Sequence, residues 1–165
     1  MGDRGRINSR KVNLVTTMFR GRFEHTIDAK GRVSVPSKFR EILKDKYEER
    51  LIVTNYDGCL VAYPFSEWEI IEQKASNLSM LKKEPAQFLR FFYSGAAECC
   101  IDKLGRLLIP QVLRDYAKLE KDIVFVGMLK RIEIWSKTRW ESVIVKSQEN
   151  FDAHDVRDAL ASLGL

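Results

Sequence analysis

The chain has 165 residues, 45% hydrophobic and 31% charged, with a formal net charge of +5. That apolar content can fill a core, and no apolar run approaches the ~20 residues of a membrane span. The three cysteines, Cys59, Cys99 and Cys100, are odd in number and form no C-x-x-C, which excludes a disulfide framework and a zinc knuckle. They read as small buried hydrophobes in a reducing cytoplasm. The charge is unevenly spread: residues 1–50 carry thirteen Lys/Arg against seven Asp/Glu, and residues 51–165 carry fifteen against sixteen. All the positive excess therefore sits in the first third, which points to a polyanionic partner touching that part of the molecule.

Residues 1–17, "MGDRGRINSRKVNLVTT", are polar and basic and lack the apolar stretch of a secretory signal. They are expected to be a flexible basic leader, with Met18 as the native start; the other reading is a basic arm lying along a nucleic acid. "RFEHTI" (22–27) alternates as a half-buried strand does. Asp28-Ala29-Lys30-Gly31 is turn chemistry, since the carboxylate accepts from turn amides and glycine tolerates positive φ. "RVSVP" (32–36) is a second strand, ended by a proline that cannot donate to a ladder. Ser37 is expected to cap a helix whose Phe39, Ile42, Leu43 and Tyr47 form one apolar stripe. Two more strands, "RLIVT" and "CLVAY", flank a turn at Asn55–Gly58, and "SEWE" (66–69) reads as a capping box opening another helix.

The chain then repeats itself. "IDAKGRVSVP" (27–36) returns as "IDKLGRLLIP" (101–110), at a shift of 74. The match extends back to "FRGRFEHTID" over "YSGAAECCID". It extends forward, at a shift of 72, until Tyr63 falls on Trp135 and Trp68 on Trp140. An ordered set of coincidences this long marks a tandem duplication of a unit of roughly 70 residues. The fold class is therefore α+β, built from two β-β-α-β-β-α units. We divide the chain into the leader 1–17, a first repeat 18–80, a connecting helix 81–92, a second repeat 93–150 and a C-terminal tail helix 151–165. The connection places Pro85 in a first helical turn and Phe88, Phe91 and Phe92 on one face, so the halves are expected to share one core. The tail is amphipathic through Val156, Leu160 and Leu163.

Two readings of the repeated D-x-x-G-R compete. In one, Asp28 and Gly31, and again Asp102 and Gly105, build a tight turn onto which the arginine pairs back, for only ~0–1 kcal/mol. In the other, the turn presents its arginine outward, with a planar fork for phosphate or a guanine edge. The first explains Asp and Gly in both copies, but a lysine would serve a weak surface pair as well as an arginine. Around the first copy lie Arg20, Arg22, Lys30, Arg32 and Lys38, whereas the second keeps only Lys103 and Arg106.

"MFRGRFEHTIDAKGRVSVPSKFR" with a second "DKLGRLLIP" resembles the bacterial MraZ family and, through it, the wider AbrB-like (SpoVT-AbrB) fold. The resemblance covers nearly all of residues 18–150. It implies one AbrB-like swapped-hairpin (double-psi-like) barrel with surrounding helices, in which the two halves of one chain interlace. It also implies a cytoplasmic, nucleoid-associated transcriptional regulator that binds double-stranded DNA at direct repeats upstream of the division and cell-wall gene cluster. Homo-oligomeric rings are implied as well. Carried over by position, the DNA-facing residues are Arg20, Arg22, Lys30 and Arg32, with Lys103 and Arg106 in the second copy. The alternative is a nonspecific nucleic-acid-binding or scaffold protein; an RNA-binding role would need exposed aromatic platforms, and Phe19, Phe23 and Phe39 fall at core-like positions.

The enzyme class is disfavoured. His25 sits on a strand with no triad partner at the right spacing, and no P-loop, dinucleotide fingerprint, H-E-x-x-H or Asp-rich metal loop occurs. Asp28 and Asp102 read as turn residues, not as a carboxylate pair. No catalytic residue, metal, cofactor, membrane contact or small-molecule substrate is expected.

Overall fold

A computed structural model describes residues 18–78 and 81–165. The leader expected at 1–17 lies outside the described residues.

The first half contains β1 (Arg22–Thr26), β2 (Arg32–Ser34), α1 (Ser37–Lys46), β3 (Arg50–Tyr56), β4 (Cys59–Pro64) and α2 (Phe65–Ala75). After the connecting helix α3 (Lys83–Ser94) the same order returns: β5 (Ala97–Cys100), β6 (Arg106–Leu108), α4 (Gln111–Ala117), β7 (Asp122–Gly127), β8 (Ile132–Ser136) and α5 (Lys137–Glu149), with α6 (His154–Ser162) last. The fold is thus α+β with two β-β-α-β-β-α units. Asp57 and Gly58, with φ of 51° and 80°, make the two-residue link between β3 and β4.

The strands form an antiparallel six-stranded sheet, ordered β1-β7-β8-β4-β3-β5, and a two-stranded ribbon, β2-β6. Among the described residues the β3–β4 and β7–β8 hairpins are the strands that pair within a half, beside one isolated bridge, Ile27↔Val33. β1 of the first half pairs β7 of the second, in register from Arg22↔Val126 to Thr26↔Asp122. β5 of the second pairs β3 of the first, Leu51↔Cys99 among its pairs. β4 meets β8 at the centre and β2 meets β6 in the ribbon. Each half supplies the partner that the other half's edge requires.

One core lies between ribbon and sheet. Val33, Val35, Leu107 and Ile109 meet Leu51, Val53, Leu60, Ile123, Phe125, Ile132 and Ile134 there, with Phe39 and Leu43 of α1 and Leu113 of α4. Phe39 is fully buried and takes the rings of Phe19 and Phe23 edge-on, at 5.4 and 5.1 Å. A second cluster covers the other sheet face: Ile52, Val61, Tyr63, Trp68, Phe92, Val124 and Trp135. β4 is therefore buried at all six positions, which is why its sequence runs nearly unbroken in apolar residues. Trp68 stacks on Phe92 at 5.3 Å, docking α3 onto α2. Thr54 Oγ1 donates to Phe92 O at 2.5 Å and Asn55 Nδ2 to Phe91 O at 3.2 Å, satisfying carbonyls that the end of α3 leaves open. Gly95 follows them because a Cβ there would overlap the Asn55 side chain.

Three local expectations are corrected. Ser37 does not cap α1: Pro36 occupies the N-cap and Ser37 is the first helical residue. The Ser66–Glu69 capping box does not form either, because α2 begins at Phe65 behind Pro64. A proline holds the extended φ/ψ of a cap but offers no side-chain oxygen. Among the described residues a side chain caps a helix only at the matching position of the second half, Ser136, which accepts from Arg139 N at 3.2 Å. Third, the expected apolar face of α3 is only partly covered: Phe92 is buried, whereas Phe88 and Phe91 stay 45% and 41% exposed.

Since the halves share one core, unfolding in denaturant should be a single transition, coincident by tryptophan fluorescence and circular dichroism. Phe39→Ala should shift it by about 3–5 kcal/mol. Two resolved transitions would mean that each half folds by itself.

Candidate nucleic-acid interface

The repeated sentence folds into the same turn twice. In the first, Asp28 Oδ1 accepts from the N–H groups of Lys30 at 3.0 Å and Arg32 at 2.9 Å, and Oδ2 accepts from Arg32 Nε at 2.7 Å. In the second, Asp102 Oδ1 accepts from Leu104 N and Arg106 N at 2.9 and 2.8 Å, and Oδ2 from Arg106 Nε at 3.0 Å. Gly31 and Gly105 complete the turns at φ of 87° and 76°, where other residues are strained. Both carboxyls are held below their ordinary value of 3.8, chiefly by the backbone N–H of their own motif arginine.

The pairing back of arginine onto aspartate is therefore real, but it uses only Nε. The two Nη groups of Arg32 and of Arg106 have no partner among the described residues. Asp28 thus acts as a bracket that fixes the guanidinium plane and leaves the fork presented.

The ribbon sets the two turns in one frame. Its register is Arg32↔Leu108, Val33↔Leu107 and Ser34↔Arg106. Val33 and Leu107 point into the core, so Arg32, Ser34, Arg106 and Leu108 share the outer face. Arg32 and Arg106 are diagonal neighbours on it, roughly 7–8 Å apart. Beyond the ribbon proper, Ile109 N donates to Gly31 O at 2.8 Å and Val35 N to Gly105 O at 2.9 Å. The two turn glycines thus mark opposite ends of a five-residue ladder, roughly 14 Å long at ~3.4 Å per residue.

Lys30, Arg32, Lys103 and Arg106 are brought together by this ribbon and its turns. Arg20 and Arg22 stand apart from the first turn. They lie at the far end of β1, six or more residues from Asp28 and roughly 20 Å away along the strand. Arg20 lines a cleft of about 730 Å³ with Phe23, Lys38, Glu41 and Asp45. Arg22 is exposed on the same side of β1 as Glu24, which pairs with Lys137 at 3.3 Å.

Two arginines escaped the sequence reading. Arg40 of α1 donates from Nε to Val35 O at 3.2 Å, and Arg114 of α4 to Ile109 O at 3.0 Å. Each lies against the turn of the opposite half. A Cβ on Gly31 would come within 2.6 Å of Arg114 Nε, and one on Gly105 within 2.7 Å of Arg40 Cζ. The signal was present, since 40 and 114 are related by the same shift of 74.

The outer surface has diverged between copies. Where the first half has Lys30, Ser34 and Lys38, the second has Leu104, Leu108 and Val112, exposed by 70%, 58% and 74%. His25 is half-buried, edge-on to Phe125 at 5.6 Å, and burial, then Arg40, lowers its pKa. Cys59 and Cys99 are buried and Cys100 is exposed, all as free thiols; burial pushes Cys99 up to about 11. Among the described residues no three His, Cys, Asp or Glu gather as a metal site, and no helix is long and apolar enough to cross a membrane.

A family model described as "MraZ protein, putative antitoxin-like" matches this chain twice, at residues 18–91 and 92–161. The chain belongs to the MraZ family. Relatives named transcriptional regulator MraZ agree along most of its length. Those of Pediococcus pentosaceus and Acetivibrio thermocellus are each 45% identical over 148 residues, covering 90% of this chain and all of the relative. That of Ligilactobacillus salivarius is 50% identical over 135 residues, covering 82% of this chain and 92% of the relative. The two MraZ matches meet at residues 91 and 92, inside α3, so the helix that joins the repeats belongs to both.

The lowered carboxyls fix the sign of an acid effect. Their contribution to stability is complete above about pH 4 and is lost as pH falls through their lowered folded values. An Asp28→Asn, Asp102→Asn variant should therefore melt below the parent at pH 7 and converge with it in strong acid. A melting gap that ignores pH over that range would deny the carboxylate charges any part.

Proposed function

We propose that this protein is a sequence-specific, non-catalytic DNA-binding regulator of transcription. The observation that carries the reading is the β2–β6 ribbon, with two braced arginines on its outer face and a basic turn at each end. A two-stranded ribbon fits the major groove of B-DNA, which is about 12 Å wide. Turns roughly 14 Å apart suit the phosphate walls on either side of it. Arg32 and Arg106 read base edges with their Nη groups, while Lys30 and Lys103 hold phosphate. Arg20 and Arg22 contact backbone farther along the duplex. The names borne by the relatives support a regulatory role.

The finer parts of the proposal follow from the family. The interlaced halves, 18–80 and 93–150 joined by 81–92, make one swapped-hairpin barrel. A ring of copies repeats the ribbon, and direct repeats upstream of the division and cell-wall gene cluster then gain through effective concentration. The protein acts in the cytoplasm, at the nucleoid.

The test is a salt titration of binding to the protein's own upstream DNA and to a scrambled duplex of equal length. Binding should weaken steeply with salt and favour the native sequence. Arg32→Ala should keep the fold and lose about 1–3 kcal/mol on the native site, more than on the scrambled one. Equal, weak binding of parent protein to both duplexes would replace this proposal with a nonspecific electrostatic role.

A further inference from the structure

Charge accounting at the turns gives the cross-packed arginines a use. In each turn the motif arginine is neutralised by its own aspartate, Arg32 by Asp28 and Arg106 by Asp102. The net positive charge must therefore come from elsewhere. One lysine supplies part of it, Lys30 in the first turn and Lys103 in the second. The other cation is the arginine that arrives from the opposite half.

Arg40 and Arg114 differ from the motif arginines in their partners. Neither forms an ion pair with a carboxylate among the described residues; each bonds one backbone carbonyl, through Nε alone. The nearest acid to Arg114 in sequence, Asp115, accepts from Gln111 at 2.7 Å instead. The Nη groups of both arginines have no protein partner among the described residues, and they are not among the buried unpaired atoms, so they reach solvent. Positive-φ glycines let each guanidinium lie directly against the turn backbone. Fixing Val35 or Ile109 needs only one donor. The fork beyond it is charged, oriented and partly exposed, with one Nη of Arg40 against Gly105.

We propose that Arg40 and Arg114 are phosphate ligands. The molecule then carries two composite anion sites, Lys30–Arg32–Arg114 and Lys103–Arg106–Arg40, each assembled from both halves of the chain. The ligand is the backbone phosphate of duplex DNA, so this inference rests on the DNA-binding reading above. It raises each turn from a net charge of +1 (one lysine and one arginine against one aspartate) to +2, the second turn no less than the first.

The experiment compares the full-length protein with Arg40→Gln, Arg114→Gln, the two Arg→Lys variants and Arg32→Ala, on native and scrambled duplexes across a salt series. Glutamine retains a donor for the strand-end carbonyl but carries no charge. Each glutamine variant should weaken binding on both duplexes alike and reduce the slope of log K against log salt by about one; lysine should restore the slope. Glutamine variants that keep the parental slope, while Arg32→Ala is impaired, would overturn the inference and leave the DNA-binding reading standing. A parent protein without salt-dependent binding would remove that reading first, and this one with it. Should a glutamine variant fail to fold, arginine modification by phenylglyoxal decides on the unaltered protein. Arg40 and Arg114 should be protected when DNA is bound, and unchanged modification overturns their role.

Discussion

Pairing between the halves is the constraint on which everything else in this molecule rests. β1 has no partner in its own half, nor has β5, and β2 and β6 each pair over only three residues. A lone unit would expose free edges above a core too small to hold it. Placing both copies on one chain makes the exchange intramolecular, so its cost in association entropy falls. The exchange also decides which residues must stay alike. Gly31 and Gly105, Arg40 and Arg114, and Val35 and Ile109 all sit where one half touches the other, and each pair has kept its character. Positions that face solvent differ: where one copy has Lys30, Ser34 and Lys38, the other has Leu104, Leu108 and Val112. One copy could change its surface chemistry while the frame that both share stayed fixed.

The turn itself resolves a conflict of charge. An aspartate is an awkward neighbour for an anion, and an exposed ion pair contributes little stability. Here the carboxylate is spent on two backbone N–H groups and one arginine Nε, and those bonds lower its pKa. What it supplies is orientation. A free arginine would have to give up rotamer entropy on meeting a ligand; one clamped at Nε has already lost it. The orientation leaves the turn short of net positive charge, and the opposite half makes up the shortfall. Geometry comes from within the motif and charge from across the interface.

Much of this was legible before any coordinates. The repeat fixed the two-unit plan, and alternation placed β1 and β2. The D-x-x-G-R turn was read correctly down to the carboxylate accepting from its own amides, because those interactions are local. Three kinds of information were not local. The strand pattern of "RFEHT" says that one face is buried but not which strand lies alongside, and the partner turned out to be a hundred residues away. Ser37 and Ser66 carry good capping chemistry, but the prolines before them had already taken the cap. Arg40, seen in one copy, is an ordinary polar residue beside a helical stripe; its place against a turn of the other half exists only once the halves interlace. Its identity at the same register in both copies was the one available clue.

Of the thirteen basic residues in the N-terminal third, four fall in residues 1–17, outside the described residues, and those around the first motif form two groups. One group, Lys30 with Arg32, belongs to a turn of the ribbon, where the second copy has Leu104 in place of the lysine. The other group, Arg20 and Arg22, lies roughly 20 Å from that turn along β1, about six base pairs at 3.4 Å per step, with Lys38 beside Arg20 in one cleft. On the proposed function, base reading by the β2–β6 ribbon and backbone contact by the far end of β1 fall to different strands. Because β1 is rigidly paired to β7 over five residues, the distance between them is set by the fold. The spacing of these basic groups is therefore a property of the interlaced sheet, inherited from the same exchange of strands that closes the core.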